Sequence, residues 1–566
     1  MIVGGLKCLE YRGYDSFGVA TATDTIMVAK QKGRISERAD CVTGCHGTRG
    51  IGHTRWATHG LPDDRNAHPH TDCTGQFAIV HNGIIENYAE LRRGLESRGH
   101  RFTSDTDSEV IVHLIEEAWK GDFAAAVRAV LPLLEGSYAI LALCAGSDEV
   151  IAARERSPLV IGLGDNEFFA CSDATPIVTY TRDILILEDG DMAVIRKDSV
   201  AVENGGEEVV RETTYIDYDI EAARKGGFEH YMLKEIFEQP DVFRQSFRLA
   251  RKDQGISTLL GRACGGVSVI ACGTSYNAAL LFRYFAEKEC GLPVRVDLAS
   301  EYRYLSTPED EVVIAVSQSG ETADTLSALK KAAASSCPTI AITNVQGSSI
   351  TRAADHTIYT GAGPEISVAA TKSYMAQFAA FSGLLAGINC SETSSVERCA
   401  GQAIEESLLT DVSEAVSLCV RASTIFYVGR GIFYPAALEG ALKMKEISYI
   451  HAEGYAAGEI KHGPFALLSE ETPAVAVCLP GEGYQSMLGN LREMKARGTP
   501  LIGIGYGDDI DLQDVTDVCI PVPKGDAYAQ VAAVTVIMQR IAYYTALALG
   551  RDIDKPRNLA KSVTVE

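Results

Sequence analysis

The densest concentration of binding chemistry in the chain is the run Ser317-Gln318-Ser319-Gly320-Glu321-Thr322. It follows a short apolar segment and opens a helical pattern. Its hydroxyls, with the free N–H groups of a helix start, make a cradle for a phosphate, and glycine lets the main chain approach the anion closely. A helix N-cap needs only one of those hydroxyls, so the run points to phosphate. A second hydroxyl pair, Thr274-Ser275, follows an earlier apolar segment in the same manner. Lys443 and Glu446 stand three apart in helical sequence and so share a face, and His462 sits in the turn Lys461-His462-Gly463-Pro464. A carboxylate and an imidazole gathered at strand ends would move protons beside a carbonyl. The same residues also fit a surface ion pair and a solvated imidazole. The terminal run Asn558-Leu-Ala-Lys561-Ser-Val-Thr-Val-Glu566 is apolar and β-branched, unlike an ordinary polar terminus. Docked, it would deliver Lys561 as an amine able to form a Schiff base; undocked, Lys561 is a solvated lysine. Gly429-Arg-Gly431 begins a dinucleotide fingerprint, but Tyr434 holds the third glycine position, and a nicotinamide site is set aside.

These residues need elements to hold them. Beyond about residue 240, five-residue apolar runs flanked by Gly or Pro alternate with helical patterns, as buried parallel strands do. Val267–Ala271, Val312–Val316 and Thr339–Thr343 form one series, and Thr424–Val428, Ala474–Leu479 and Leu501–Gly505 form a second. The repetition predicts two copies of one doubly wound domain, with ligands at the carboxyl ends of the strands. The first 200 or so residues mix strands (Phe77–His81, Ser137–Cys144, Asp191–Ile195) with helices (Asn87–Arg98, Ser108–Lys120). Residues 200–224 read as a strand edge running into an exposed linker.

With 566 residues, several domains are expected. A net charge of −23 argues against nucleic acid or a membrane surface as partner, but not against a small anion held locally. The 15 cysteines, among them Cys8, Cys144, Cys272, Cys337 and Cys478, are scattered through apolar runs and suit reduced thiols in a cytoplasm. Cys41-Val-Thr-Gly-Cys45-His46 lacks ligand spacing and reads as a loop, so no metal is assigned. The apolar stretch Val531–Leu549 is interrupted by Gln539 and Arg540 and reads as a buried helix; no signal peptide opens the chain.

Taken together, Ser317–Thr322, Glu446-Ile-Ser-Tyr-Ile-His-Ala-Glu453, Lys461–Pro464 and the terminal run closely resemble the glutamine–fructose-6-phosphate aminotransferase (isomerizing) family. The first third agrees through Tyr11-Arg-Gly-Tyr-Asp15-Ser16, Thr54-Arg-Trp-Ala-Thr-His59-Gly60, Asn66-Ala-His-Pro-His70, His81-Asn-Gly-Ile-Ile-Glu-Asn87 and Thr106-Asp107. The resemblance covers essentially the whole chain. It implies an α+β N-terminal-nucleophile (class II) glutaminase domain of αββα layering, followed by two α/β doubly wound parallel-sheet SIS (sugar isomerase) domains. The expected divisions are 1–225, a linker 226–245, SIS domains at 246–400 and 401–550, and a catalytic tail 551–566.

What the resemblance implies is ammonia release from glutamine and its addition to fructose 6-phosphate, giving glucosamine 6-phosphate in a homodimer without cofactor. Arg55 would grip the glutamine carboxylate and Asp107 its amino group. Asn82 and Gly83 would form the oxyanion hole, Trp56 would gate the ammonia, and His59 and His68 belong to the same site. Thr274, Ser275, Ser317, Gln318, Ser319 and Thr322 would hold the sugar phosphate, with Val368 and Ala370 in a sugar-binding loop. His462 would assist ring opening, Glu446 would shuttle the proton between C1 and C2, Lys443 would assist, and Lys561 would form the imine. Two departures stand out. Ala370 replaces a usual serine, which removes one hydroxyl contact. The family's amino-terminal cysteine nucleophile and first strand have no counterpart before Leu9-Glu10-Tyr11, and internal Cys8 lacks the free amino group that serves as base. The expectation is a chain that does not hydrolyse glutamine, through a misplaced start site or as a genuinely ammonia-dependent synthase or deaminase. A sugar-phosphate-sensing regulator would bring a basic DNA-binding segment, which the sequence does not contain.

Overall fold

The computed structural model describes residues 1–10, 13–42, 44–56, 59–216, 225–263, 265–306, 310–389 and 394–564. Tyr11, Arg12, Ala57 and Thr58 of the quoted motifs, residues 217–224 of the 200–224 stretch, and Val565 and Glu566 lie outside them. Two compact units emerge, residues 1–220 with 562–566 and residues 221–561.

In the first unit, β1 (Ser16–Ala22), β2 (Ile26–Lys32) and β3 (Arg49–Arg55) pair antiparallel in the order β2-β1-β3. There follow β4 (His70–Thr71), β5 (Phe77–Ile85), β6 (Gly136–Cys144), β7 (Val150–Glu155), β8 (Val160–Gly164), β9 (Glu167–Cys171) and β10 (Asp183–Ile186). Next come β11 (Asp191–Ile195), β12 (Val200–Asn204), β13 (Glu207–Val209) and β14 (Thr213–Tyr215). They build a seven-stranded sheet, β13-β12-β11-β7-β6-β5-β4, and a four-stranded one, β14-β10-β8-β9.

Side-chain alternation along β5 explains the layering. Phe77 and Ile79 pack with Ile115 and Val127 of the helices Glu109–Ala118 and Phe123–Val130. Ala78 and Val80, on the opposite face, pack with Ala20 and Ile51 of the three-stranded sheet. Ala139 and Ala152 likewise meet Ile161 of the four-stranded sheet. Helix Ile2–Leu9 lays Leu6 against Phe17 and Val19, completing the αββα order. β3 and β9 are terminal strands of their sheets, and both wall one cavity of about 1060 Å³.

In the second unit, β15 (Val267–Ala271), β16 (Val294–Leu298), β17 (Val312–Ser317), β18 (Thr339–Thr343) and β19 (His356–Tyr359) form a wholly parallel sheet ordered β16-β15-β17-β18-β19. The same order recurs with β20 (Thr424–Gly429), β21 (His451–Ala456), β22 (Ala474–Val477), β23 (Leu501–Gly505) and β24 (Val518–Pro521), as β21-β20-β22-β23-β24. The duplicated parallel architecture is as the apolar runs predict. The sequence reading finds three strands per copy where there are five. The additional four are all edge strands, half-solvated, so their polar residues (Arg295 and Asp297, His451 and Glu453) hide the apolar run. Residues 200–216 also differ, forming three short strands rather than a single edge.

Helix Ala527–Ala548 is long and apolar enough to cross a membrane, yet it is a core helix packed on Phe433–Ser448. Its buried Arg540 donates through Nη1 to the carbonyls of Ser407 (3.1 Å) and Thr410. Replacing that guanidinium leaves the half-buried Thr410 carbonyl without this donor, at a cost of about 1–3 kcal/mol, while the Ser407 carbonyl still accepts from Thr410 N (3.3 Å). Arg540→Met is therefore expected to lower the thermal unfolding midpoint of the second unit by several degrees; an unchanged midpoint would refute this account of the helix.

Candidate active site

In open α/β sheets ligands bind where the strand order reverses, because the loops on either side splay apart there. In the first parallel sheet that point lies between β15 and β17. The loops that leave these strands carry Thr274-Ser275 and Ser317–Thr322. Ser317, buried at the end of β17, accepts from Gly320 N (3.0 Å) and shares a hydrogen bond with Thr322 Oγ1 (2.9 Å). Ser319 Oγ accepts from Glu321 N, and the Gln318 carbonyl accepts from Asn344 N. Thr322 then opens the helix Ala323–Ala334. The loop requires its glycine: Gly320 has φ +67°, and a Cβ there would lie 2.1 Å from Ser348 Oγ.

Thr274 and Ser275 begin the helix Gly273–Cys290. Ser275 Oγ accepts from Gln377 Nε2 (3.0 Å), and Thr274 Oγ1 accepts from Lys443 Nζ (3.0 Å). Lys443 is fully buried on the helix Phe433–Ser448. Its ammonium also meets Glu446 Oε2 at 2.6 Å and Glu439 Oε1 at 3.4 Å. Burial opposes the charge on Lys443, but the two carboxylates outweigh it and hold its pKa above the ordinary lysine value. Lys443 and Glu446 are thus no surface pair. Glu439, which sequence reasoning missed, accepts from Asn277 Nδ2 (2.8 Å) and Thr274 Oγ1 (3.2 Å), and burial pushes it up to about 7. The signal for it was available: Glu439, Lys443 and Glu446 fall at i, i+4 and i+7, one helical face.

The tail is docked. Asp554 caps the helix Tyr231–Phe237 by accepting from Tyr231 N (3.0 Å) and Met232 N (2.9 Å), and its carbonyl accepts from Val368 N (2.9 Å). The Lys561 side chain is buried and pairs with Glu365, also missed from sequence. Burial works against the charge of Glu365, yet Lys561 and the N–H groups of Ser373 and Thr371 hold it down to about 2. Beside it, burial and the Glu365 carboxylate push Glu235 up to about 8. Val368 is buried, and Ala370 is half-buried in the same loop. His462 is not gathered with these groups: it is exposed at the end of a single turn, Glu459–His462.

In the first unit, Arg55, Trp56, His68, Asn82, Gly83 and Asp107 all line the large cavity. Arg55, at the end of β3, donates to the carbonyls of His59, Gly60 (3.2 Å) and Leu61. Asp107 Oδ2 accepts from Ile85 N (2.8 Å), and Asn82 Oδ1 accepts from His53 Nε2 (2.7 Å). Gly83 has φ +132°, where a Cβ would lie 2.0 Å from the Ser137 carbonyl oxygen. His53 stacks on His68 at 4.3 Å, and burial holds His53 down to about 4 and His70 to about 3, so the cluster is neutral at physiological pH. His59 stands apart, edge-on to Tyr88. Among the described residues Cys171, on β9, is the cysteine in the cavity wall, and burial pushes its thiol up to about 12.

Comparison with known proteins agrees with this division. The model for the SIS domain matches residues 263–386 and 419–550, and that for the glutamine amidotransferase domain matches residues 53–179. Glutamine–fructose-6-phosphate aminotransferase [isomerizing] from Symbiobacterium thermophilum is 44% identical, over 100% of this chain and 98% of its own. The Methanothermobacter thermautotrophicus protein of the same name is also 44% identical, over 99% of this chain and 97% of its own. The chain belongs to the glutamine–fructose-6-phosphate aminotransferase family. The solved C-terminal domain of the Francisella tularensis family member superposes with a TM-score of 0.54 at 33% identity, covering 59% of this chain and all of that one.

Glu235 offers a pH test of the docked-tail cluster. With a pKa near the model-peptide 4.5 when unfolded and about 8 when folded, it binds its proton more tightly in the native state. Its contribution is present in full below pH 4.5 and is lost as pH rises toward 8. Glu235→Gln keeps the neutral shape and removes that loss. The thermal midpoint of the variant should exceed that of the wild type by a margin that widens from pH 5 to pH 8; a constant margin would contradict the shift.

Proposed function

We propose that this chain converts fructose 6-phosphate to glucosamine 6-phosphate in its second unit, the first step toward amino-sugar nucleotides. The observation that carries the reading is the continuous chain Thr274–Lys443–Glu446, in which one buried ammonium joins a hydroxyl at the strand-order switch point to a carboxylate. The phosphate sits among Ser317, Gln318, Ser319, Thr322, Thr274 and Ser275. Val368 and Ala370 border the sugar; the missing hydroxyl at Ala370 weakens binding without removing any reacting group. Lys561 leaves Glu365, gives up its ammonium proton to solvent, and as the neutral amine attacks C2 of the open-chain ketose; its C–N bond forms as the carbonyl oxygen departs as water. Ammonia then displaces the lysine, and Glu446, held in place by Lys443, carries a proton from C1 to C2. His462, exposed and disengaged within its own protomer, suits ring opening across a homodimer interface.

For the first unit the reading turns on the thiols near the cavity. Arg55, Asp107, Asn82, Gly83, Trp56, His59 and His68 keep the pattern of a glutamine site, but a thiol nucleophile needs a lowered pKa, and Cys171 and Cys8 are both raised by burial. Among the described residues these thiols are not activated for glutamine hydrolysis, so free ammonia is the nitrogen donor of this reading.

Assaying glucosamine 6-phosphate formation separately with ammonium and with glutamine tests both halves. Product is expected from ammonium alone. Product from glutamine would overturn the argument about the thiol while leaving the synthase reading intact, and product from neither would overturn the synthase reading. Glu446→Gln should lower turnover with ammonium by about a hundredfold or more while the Michaelis constant for the sugar phosphate changes little. An unaffected turnover number would remove Glu446 from proton transfer.

A further inference from the structure

Cys73, His100, His113 and Glu116 lie in the first unit, outside the cavity. They come from three separate stretches: the turn before β5, the loop after the helix Tyr88–Ser97, and the helix Glu109–Ala118. The sequence reading, which weighs only Cys41-Val-Thr-Gly-Cys45-His46, assigns no metal; the fold collects these four residues. Their ligand atoms lie within 4.8 Å of one another. Cys73 Sγ is 3.6 Å from His113 Nδ1 and 3.9 Å from His100 Nδ1. Glu116 Oε2 is 3.0 Å from His100 Nδ1 and 3.2 Å from His113 Nδ1. A tetrahedral ion with bonds of 2.0–2.3 Å requires edges of about 3.3–3.7 Å between its ligands, close to those spacings.

Hydrogen bonding alone leaves the arrangement overcrowded. One carboxylate oxygen, Glu116 Oε2, is approached by both imidazoles and by the backbone N–H of Cys73 (3.2 Å), although it has two lone pairs to offer. A cation at the centre would accept both imidazole lone pairs, the thiolate and the carboxylate. The surroundings match. Arg101 N–H points at Cys73 Sγ (3.3 Å), a donor for a thiolate. If His113 binds through Nδ1, its proton sits on Nε2, which is buried, has no hydrogen-bond partner and faces Glu109 Oε1 at 3.7 Å. A carboxylate behind a ligating histidine is the usual outer support of a metal site.

We propose that Cys73, His100, His113 and Glu116 bind one zinc ion. One sulfur, two imidazole nitrogens and one carboxylate select a borderline-soft ion over magnesium or calcium, and four protein ligands leave no open position, so the ion is structural. It ties the turn before β5 and the loop at His100 to the far end of the helix whose start is preceded by Asp107. That loop is already clipped to Glu109 through Thr103 N and Ser104 N (2.7 Å each). The ion therefore stiffens the segment that presents Asp107 to the cavity.

The test is elemental analysis of the untagged full-length chain, as purified and after dialysis against zinc, with Cys73→Ser and His100→Gln alongside. Cys73 is exposed and His100 lies near the surface, so both variants should fold, and circular dichroism checks that they do. About one equivalent of zinc is expected in the wild type. Each variant should lose affinity by about tenfold or more, and cobalt substitution should give the visible absorption of a tetrahedral, thiolate-ligated ion. No zinc uptake by the wild type, or one equivalent retained unchanged in both folded variants, would overturn the proposal.

Discussion

The second unit has to accommodate two lysine side chains, Lys443 and Lys561, away from solvent. Burying an isolated ion costs far more than a domain's whole stability margin, so each must be matched by carboxylates and hydrogen bonds. Lys443 is matched by Glu446, Glu439 and the Thr274 hydroxyl; Lys561 is matched by Glu365, which is itself tied to Ser373 and Thr371. These pairings fix where the elements must be. The helix Phe433–Ser448 of the second parallel domain must lie against the helix Gly273–Cys290 of the first, and the tail must run past Val368 to reach Glu365. Asp554 secures that path by capping a helix N-terminus, where a carboxylate is doubly favoured by hydrogen bonding and by the helix dipole.

The same economy explains how a chain of net charge −23 can hold an anionic sugar phosphate. The proposed phosphate cradle uses hydroxyls and main-chain N–H groups at helix starts, so no basic patch is needed. Parallel strands supply this geometry because each delivers its loop and helix start to the same edge of the sheet, and the reversal between β15 and β17 opens the crevice.

The buried parallel strands were legible because both faces are covered and the sequence becomes continuously apolar, as in Val267–Ala271 and Thr339–Thr343. The edge strands were not, since a half-solvated strand such as His451–Ala456 carries charge at alternate positions. Within the sites, residues grouped in one loop or on one helix face could be read from spacing. Glu365 and Glu235 could not: each is a carboxylate in an unremarkable stretch, and only the docked tail gives it a meaning. The same holds for Cys73, His100, His113 and Glu116, whose proximity is purely tertiary. In the first unit the motif residues do converge on one cavity, but the nearby thiol, Cys171, is held protonated by burial, a property no motif displays.

In the proposed mechanism the docked terminal lysine is the amine that bonds to the keto sugar. Borohydride reduction of the enzyme in the presence of fructose 6-phosphate, followed by peptide mass spectrometry, tests it directly. The account predicts a reduced hexose phosphate adduct on Lys561, with Lys443 and Lys372 unlabelled. An adduct on another lysine, or none at sugar phosphate concentrations that support turnover, would contradict it.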